Sequence, residues 1–369
     1  MFFAENRIYI AKFVNYTWDS YGTKTFPKEI GMMQHMEVRQ FTISRNDGFM
    51  EGWPDMIRLK SGRILVVYNE CTAHTNRDHS HITTRKSDDD GHTWSEKQYI
   101  GEETHHGDQW NSIRVNQLQD GRILLVCDRI ADHERTQETK FYTFESTDNG
   151  DSWSEKYDIG VYGYCSDKIR ELSDGSLLLC VSRYNIHTEK SEILAHKSYD
   201  GGKSWTAAQI AASSKIYTFI EPAAIELSNG TIAVFIRENS QQGYNGFIVF
   251  SDDMGKSFRD LQEIPVKGMH RPAIGFLADG RILLSYREHL LPGKPYPDLK
   301  ACVFTEGEVL APSTTQPEIH LIDHDRSDHV DQGYSAWLQL PDGTVLMANY
   351  IADDAPKPYI RGYRIKIMG

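Results

Sequence analysis

The most regular feature of the chain is a pair of short apolar stretches joined by a polar turn that contains glycine. Short apolar runs bounded by turn residues are typical of buried β-strands. Asp-Gly or Asn-Gly between such runs predicts a hairpin, because glycine accepts a positive φ and Asp or Asn tolerates one. The turn glycines of the six copies are Gly62, Gly121, Gly175, Gly230, Gly280 and Gly343.

The spacing of these turns indicates how the strands are grouped. Successive glycines lie 59, 54, 55, 50 and 63 residues apart, which is enough chain for one four-stranded sheet each. The sequence therefore predicts an all-β fold, a six-bladed β-propeller. No Pro-, Gly- or Ser-rich linker divides the chain, so residues 1–369 are predicted to form a single domain. We expect Tyr359–Ile365 to be the last strand and Met36–Ile43 to complete the last blade.

A second repeat, Ser-x-Asp-x-Gly-x-Ser/Thr-aromatic, is the Asp-box. Its Asp and Ser or Thr side chains bind the backbone of a turn, glycine takes the left-handed position, and the aromatic ring plugs the blade. Four copies support the propeller and say nothing direct about catalysis. They occupy residues 87–94, 146–153, 198–205 and 251–258.

The innermost strand of each blade lines the channel of a propeller, so equivalent residues of the six inner strands form a ring. Buried charged residues need partners, and a ring that contains them is a poor core. We therefore predict a functional pocket on the axis. Counting back nine residues from each turn glycine gives Trp53, Ser112, Ser166, Glu221, Arg271 and Tyr334. Arginines at the ends of second strands should reach the same end of the ring: Arg129, Arg183, Arg237 and Arg287.

Two segments resemble the sialidase superfamily. Ile220–Leu227 followed by Phe235-Ile236-Arg237 is similar to the blade with the catalytic Glu and the second substrate-binding arginine. Gly333-Tyr334-Ser335 is similar to the segment with the nucleophilic Tyr. The resemblance implies that Tyr334 is the nucleophile, Glu221 its base and Arg237 a ligand of the substrate. It also implies an acid/base Asp on a loop of blade one.

The sequence departs from that family at two arginines. Gly52 stands where the first arginine is expected, and Asp298–Val303 holds no arginine where the third is expected. Because lysine does not replace a bidentate arginine, a different sugar from sialic acid is favoured. The chain is thus predicted to be a divergent member of the superfamily. Arg271 and Arg287 are candidates to rebuild a cation site.

The acid/base candidate is Asp78, in the polar loop before the first Asp-box. His79 or His81 is an alternative, and a merely solvated loop is another. His105 and His106 form a second polar loop, expected at the surface. Trp53 and Trp110 are candidates to stack on a sugar. The candidate substrate-binding residues are together Arg237, Arg271, Arg287, Trp53, Trp110, His79 and Ser166.

The amino-acid composition restricts the classes of molecule that the protein is expected to bind. A net charge of −12 argues against nucleic acid and anionic membranes, although a small acidic substrate remains compatible. The five cysteines show no zinc-binding spacing, so neither a metal nor a cofactor is predicted. The N-terminus lacks a signal-peptide pattern and no apolar stretch is long enough to span a membrane. We expect a cytoplasmic protein, or a secreted one if a leader was removed.

These observations predict a glycoside hydrolase that acts on a terminal sugar, with acidic sugars among the candidates. The alternatives are a uronate-type polysaccharide lyase, a glycan-binding propeller without catalysis, and a scaffold that uses its faces for protein contacts. A carbohydrate is the predicted partner in the first three cases. The oligomeric state is left open.

Overall fold

Six antiparallel sheets surround one axis in the computed structural model. The structure describes residues 36–74, 78–105, 107–130, 139–289, 297–328 and 330–367, together with the backbone of the short strands Ile8–Tyr9, Thr17–Trp18 and Lys24–Thr25. Each turn glycine joins the inner strand of a blade to its second strand. The predicted all-β six-bladed β-propeller is therefore confirmed.

Blades one to five each contain four consecutive strands, which pair in chain order. Blade one contains Met50–Arg58, Ile64–Cys71, His79–Ser87 and Gln98–His105. Blade two contains Gln109–Gln117, Ile123–Ile130, Lys140–Ser146 and Tyr157–Tyr162. Blade three contains Arg170–Glu171, Leu177–Asn185, Lys190–Ser198 and Gln209–Ser214. Blade four contains Phe219–Glu226, Ile232–Glu238, Asn245–Ser251 and Arg259–Lys267. Blade five contains Met269–Phe276, Ile282–Glu288, Asp298–Phe304 and Ile319–His324.

Blade six closes the ring with strands from both ends of the chain. Its first three strands, counted from the axis, are Gln332–Gln339, Val345–Ile351 and Tyr359–Ile367. Met36–Ser44 pairs antiparallel with the last of them. The predicted use of an N-terminal strand is thus confirmed. Closure turns one edge of each blade toward the axis, where it is protected from pairing with other chains.

The Asp-boxes lie between the third and fourth strands, at the end of the propeller that also holds the turn glycines. In the second box, Asp148 Oδ1 accepts the Ser152 backbone N–H at 2.9 Å, and Gly150 N donates to Ser146 Oγ at 2.9 Å. Gly150 has a φ of +80°, and a Cβ there would meet Leu65 of blade one at 3.0 Å. The box therefore fixes its turn and fits it against the neighbouring blade.

Blade five has a short helix, Glu306–Leu310, where an Asp-box would stand. Thr305 caps it, since its Oγ1 accepts the Glu308 backbone N–H at 3.2 Å. Within the described residues this is the one α-helix, and at five residues it is far too short to cross a membrane.

Candidate active site

The inner strands share an unusual backbone conformation at the predicted ring. Five of the six ring residues have a positive φ, which is uncommon away from glycine and marks sites held by their surroundings. Strand pairing is interrupted at the same places, so these five inner strands each contain a bulge. The values are Trp53 55°, Ser112 48°, Glu221 54°, Arg271 50° and Tyr334 59°.

Blade three differs from the others by one residue. Its positive φ of 52° falls on Cys165, and Ser166 is fully buried behind it. The inner strand of this blade is reduced to Arg170–Glu171, so the count of nine from Gly175 does not hold there. The expectation that Ser166 faces a substrate is corrected: Cys165 takes the ring position.

Tyr334, Glu221 and Arg237 form a hydrogen-bonded group on the axis. The Tyr334 hydroxyl donates to Glu221 Oε1 at 2.7 Å. Arg237 Nη1 lies 2.7 Å from Glu221 Oε2 and 3.0 Å from the Tyr334 hydroxyl oxygen. Glu221 is 2% exposed and Arg237 is 7% exposed, whereas Tyr334 is partly exposed. The phenol is therefore the member of the group that a ligand can reach.

The charge of Glu221 is compensated by arginine. Burial alone would raise the pKa of Glu221, but the charges of Arg237 and Arg271 outweigh it and lower the pKa to about 2. A second contact fixes the backbone, since Glu221 N donates to Ser182 Oγ at 2.9 Å. Glu221 is thus held as an ionised carboxylate at neutral pH.

The other two candidate arginines flank the ring of Tyr334. The guanidinium carbon of Arg287 lies 4.7 Å from the ring centre, and that of Arg271 lies 5.9 Å away. Arg271 Nη2 donates to the Ser166 carbonyl at 3.0 Å, while its buried Nη1 has no hydrogen-bond partner. Three guanidinium groups therefore surround one tyrosine.

His74 and Asp331 join this group from loops above it, and the sequence analysis did not single out either. His74 Nδ1 lies 3.0 Å from Asp331 Oδ2, and the Tyr350 hydroxyl donates to Asp331 Oδ1 at 2.9 Å. The His74 ring meets Trp53 edge-on, with centroids 5.0 Å apart. His74 faces the same small cavity as Tyr334 and Glu221. The signal that could have found it is the position of the loop, directly after the second strand of blade one.

Three hollows meet on this face of the propeller. An axial cavity of about 20 Å³, room for one water molecule, is lined by Glu221, Tyr334, Trp53 and His74. A groove of about 690 Å³ reaches His74 and Asp331 from outside. A hollow of about 200 Å³ is bordered by Asp331, Arg237 and Arg287 on the other side.

The axial cavity is closed toward the opposite face of the propeller. Arg114 lies between it and a separate cavity of about 460 Å³ at the turn-glycine end. Burial and the nearby charge of Arg271 lower the pKa of Arg114 to about 10. A ligand of the tyrosine can therefore enter from one face alone.

Three other predicted site residues lie apart from this group. Trp110 is fully buried and donates from Nε1 to the Glu102 carbonyl, so it has no face for a sugar. Asp78 is exposed at the start of the third strand of blade one, where its N–H donates to Thr72 Oγ1. His79 stacks on Phe49 and borders none of the three hollows.

The two remaining arginines are held in ion pairs away from the ring. Arg129 Nε donates to Asp108 at 2.8 Å, and Arg183 Nε donates to Glu192 at 2.9 Å. Of the four second-strand arginines, Arg237 and Arg287 therefore reach the site. His106 lies outside the described residues.

A buried histidine beside the site makes stability depend on pH. Burial lowers the pKa of His270 well below its ordinary value, and the charges of Arg237 and Arg287 add to this. Below about pH 6.5 the unfolded chain takes up a proton at this residue that the folded chain does not. The free energy of unfolding should fall as the pH falls from about 7 to 5, with His270 contributing at most about 1.4 kcal/mol per pH unit.

Urea unfolding at several pH values measures this slope. We expect His270→Gln to flatten it and His92→Gln, at an exposed position, to leave it unchanged. An identical slope in wild type and His270→Gln would contradict the assignment.

Comparisons with known proteins agree with the propeller. The model of the BNR repeat-like domain matches residues 62–347. No protein of curated function matches the sequence. A protein of unknown function from Dyadobacter fermentans superposes with a TM-score of 0.74 at 23% identity, covering 89% of this chain and 99% of that one.

Two enzymes of known activity have the same fold. A Hadza microbial sialidase has a TM-score of 0.71 at 15% identity, and the match covers 94% of this chain and 71% of the sialidase chain. An α-L-arabinofuranosidase from Fusarium graminearum has a TM-score of 0.62 at 12% identity, and the match covers 89% of this chain and 95% of the arabinofuranosidase. At these identities the similarity shows the fold alone. Because the family model spans most of the blades, the chain belongs to the BNR repeat-like domain family, and it shares the six-bladed fold of these two enzymes.

Proposed function

We propose that this protein is a glycoside hydrolase that cleaves a terminal sugar, with Tyr334 as nucleophile and Glu221 as its base. The observation that carries the proposal is the 2.7 Å hydrogen bond from the Tyr334 hydroxyl to Glu221 Oε1 inside a ring of strained residues. Nucleophile and base must lie within hydrogen-bond reach, and here they do. Proteins with the same fold include sialidases and an arabinofuranosidase, which supports a carbohydrate substrate.

The proposed first step transfers the sugar to tyrosine. The Tyr334 oxygen bonds to the anomeric carbon as the bond to the leaving oxygen breaks, and the phenol proton passes to Glu221. Arg237, 3.0 Å from the phenol oxygen, stabilises the negative charge that develops there. Water then attacks the same carbon as its bond to the Tyr334 oxygen breaks, and the phenol regains its proton from Glu221. Two displacements at one carbon retain the anomeric configuration.

An acidic substrate fits the arginines around this pair. In the free protein Arg237 is paired with Glu221, which keeps that carboxylate a weak base. A substrate carboxylate bound between Arg237 and Arg287 draws the charge of Arg237 away from Glu221. The carboxylate of Glu221 then becomes basic enough to accept the phenol proton. Substrate binding and activation of the nucleophile are thereby linked.

The acid/base role belongs to His74 in this proposal, in place of Asp78. His74 faces the axial cavity and is oriented by Asp331 at 3.0 Å, whereas Asp78 is exposed at the base of the loop. The His74 imidazole protonates the leaving oxygen and later takes a proton from the attacking water. Imidazole suits both steps because its ordinary pKa lies near neutrality.

A terminal sugar is favoured because the cavity is a dead end. Arg114 closes it toward the far face, so a polysaccharide cannot thread through the channel. The groove of about 690 Å³ beside His74 offers space for the rest of the substrate. The terminal sugar then occupies the hollow of about 200 Å³ beside Arg237 and Arg287, and the cleaved bond lies near His74, at the axial cavity.

A uronate-type lyase is the second candidate, favoured by the His74–Asp331 pair beside Tyr334. In that reaction a base removes the proton next to the uronate carboxylate and the 4-linked sugar leaves. The product carries a carbon–carbon double bond that absorbs ultraviolet light. Hydrolysis products do not absorb in this way, so the absorbance distinguishes the two reactions.

The test is a screen of aryl glycosides and acidic oligosaccharides with wild-type protein, His74→Gln and Asp78→Asn. We expect His74→Gln to lower kcat by roughly 10²–10⁴-fold, the usual contribution of an acid/base group. Asp78→Asn should stay close to wild type. A loss confined to Asp78→Asn would return the role to Asp78. Absence of turnover on every glycoside, with glycan binding retained, would establish a lectin instead.

A further inference from the structure

A second group of titratable residues lies in blade one, apart from the axial site. It consists of His79 and His81 in the third strand, and Glu103 and His105 in the fourth. The two strands are antiparallel, with His79 opposite His105 and Ser80 opposite Thr104. Side chains alternate between the faces of a strand, so the members of each i, i+2 pair share a face. Ser80 and Thr104 are buried on the other face, which leaves the three histidines and the glutamate together.

Glu103 is the centre of this cluster. Its carboxylate contacts His79 Nδ1, and it lies 3.5 Å from His81 Nε2 and 3.7 Å from His105 Nε2. One nitrogen or oxygen from each of His79, His81 and Glu103 falls within 4.8 Å of the others. In a tetrahedral zinc site with bonds of about 2.1 Å, neighbouring ligand atoms are about 3.4 Å apart. Small side-chain rotations therefore bring these atoms to the distances that a metal requires.

The surroundings of the cluster hold the imidazoles in place. The His79 ring stacks on Phe49 at 4.5 Å, and the His81 ring stacks on Tyr99 at 4.4 Å. The Glu70 carboxylate lies 4.0 Å from His79 Nε2, where it can orient a metal-bound ring. The ring nitrogens that meet Glu103 are His79 Nδ1 and His81 Nε2, and the opposite nitrogens of both rings are buried.

We propose that His79, His81 and Glu103 bind a divalent transition metal of the zinc type, with His105 beside them. Two imidazoles with one carboxylate favour zinc over calcium or magnesium, which prefer oxygen ligands. The four residues border none of the hollows around Tyr334, so the metal has a structural role. It joins the third and fourth strands of blade one at the substrate face. The proposal does not depend on the proposed hydrolase activity.

The experiment is a calorimetric titration of the chelator-treated full chain with ZnCl₂, followed by Co²⁺ as a spectroscopic probe. We expect one equivalent of Zn²⁺ to bind, a rise in melting temperature, and the visible absorption of tetrahedral Co²⁺. His81→Gln and Glu103→Gln should each weaken Zn²⁺ binding by at least about 100-fold, since outer-shell partners alone are worth 10–100-fold. Glu103 is exposed, so its variant should fold even if the histidine variant does not.

His92→Gln is the matched control, because His92 is an exposed histidine of the first Asp-box in the same blade. It should bind Zn²⁺ like wild type. Three results would overturn the proposal: no stoichiometric binding to wild type, unchanged binding by both cluster variants, or an equal loss in His92→Gln.

Discussion

Replacing Tyr334 with phenylalanine is expected to lower kcat on a turned-over glycoside by on the order of 10³-fold or more, because a removed nucleophile leaves only binding and electrostatic catalysis. The change deletes one hydroxyl, which accepts from Arg237 and donates to Glu221. The ring stays between Arg271 and Arg287, so substrate affinity should change little. Steady-state kinetics on the best substrate of the screen measures both quantities.

Tyr286→Phe is the matched control for this experiment. Tyr286 is a fully buried tyrosine of blade five whose hydroxyl has no hydrogen-bond partner. Removing that hydroxyl should leave kcat at the wild-type value. Equal kcat in wild type and Tyr334→Phe would show that the phenol takes no part in the reaction.

The second large effect concerns stability. Arg237→Met should lower the free energy of unfolding by about 3–5 kcal/mol, because it leaves a buried carboxylate without its closest counter-charge. Glu221 and Arg237 are both less than 10% exposed and lie 2.7 Å apart. Arg271 Nη1 has no hydrogen-bond partner of its own, but its charge does not replace the hydrogen bond that Arg237 Nη1 donates to Glu221 Oε2. Chemical denaturation measures the difference.

The double variant Glu221→Gln/Arg237→Met provides the control. It removes both charges, so it should be clearly more stable than Arg237→Met alone. Arg259→Met, at an exposed arginine of blade four, should unfold like wild type. A double variant as unstable as Arg237→Met would show that the cost arises from packing rather than from the unpaired charge.

The blades followed from short-range signals in the sequence, and the pairing of Tyr334 with Glu221 from the resemblance to sialidases. A turn glycine recurs in every blade and an Asp-box in four of the six, and counting from the glycines located five of the six ring residues. Blade three departed because its inner strand is short and the bend moved to Cys165. Counting from a turn glycine predicts a position along a regular strand, but it does not predict where a strand is shortened or bent.

Contacts between residues of different loops or strands could not be predicted by counting from the turn glycines. His74 and Asp331 are 257 residues apart and meet where the loops of blades one and six converge. Trp110 is a sugar-stacking candidate in the sequence, but ring contacts with Tyr142 and Phe144 place it in the core between blades one and two. The His79–His105 cluster depends on strand register, which spacing along the chain does not reveal.

The most direct test of the account is a crystal structure of Tyr334→Phe soaked with the oligosaccharide that the wild-type protein turns over. The account predicts a terminal sugar in the hollow of about 200 Å³ beside the axial cavity, with its anomeric carbon against the edge of residue 334 and an acidic group between Arg237 and Arg287. The leaving group should lie beside His74. A glycan bound only at another face of the propeller, with the axial group undisturbed, would contradict it.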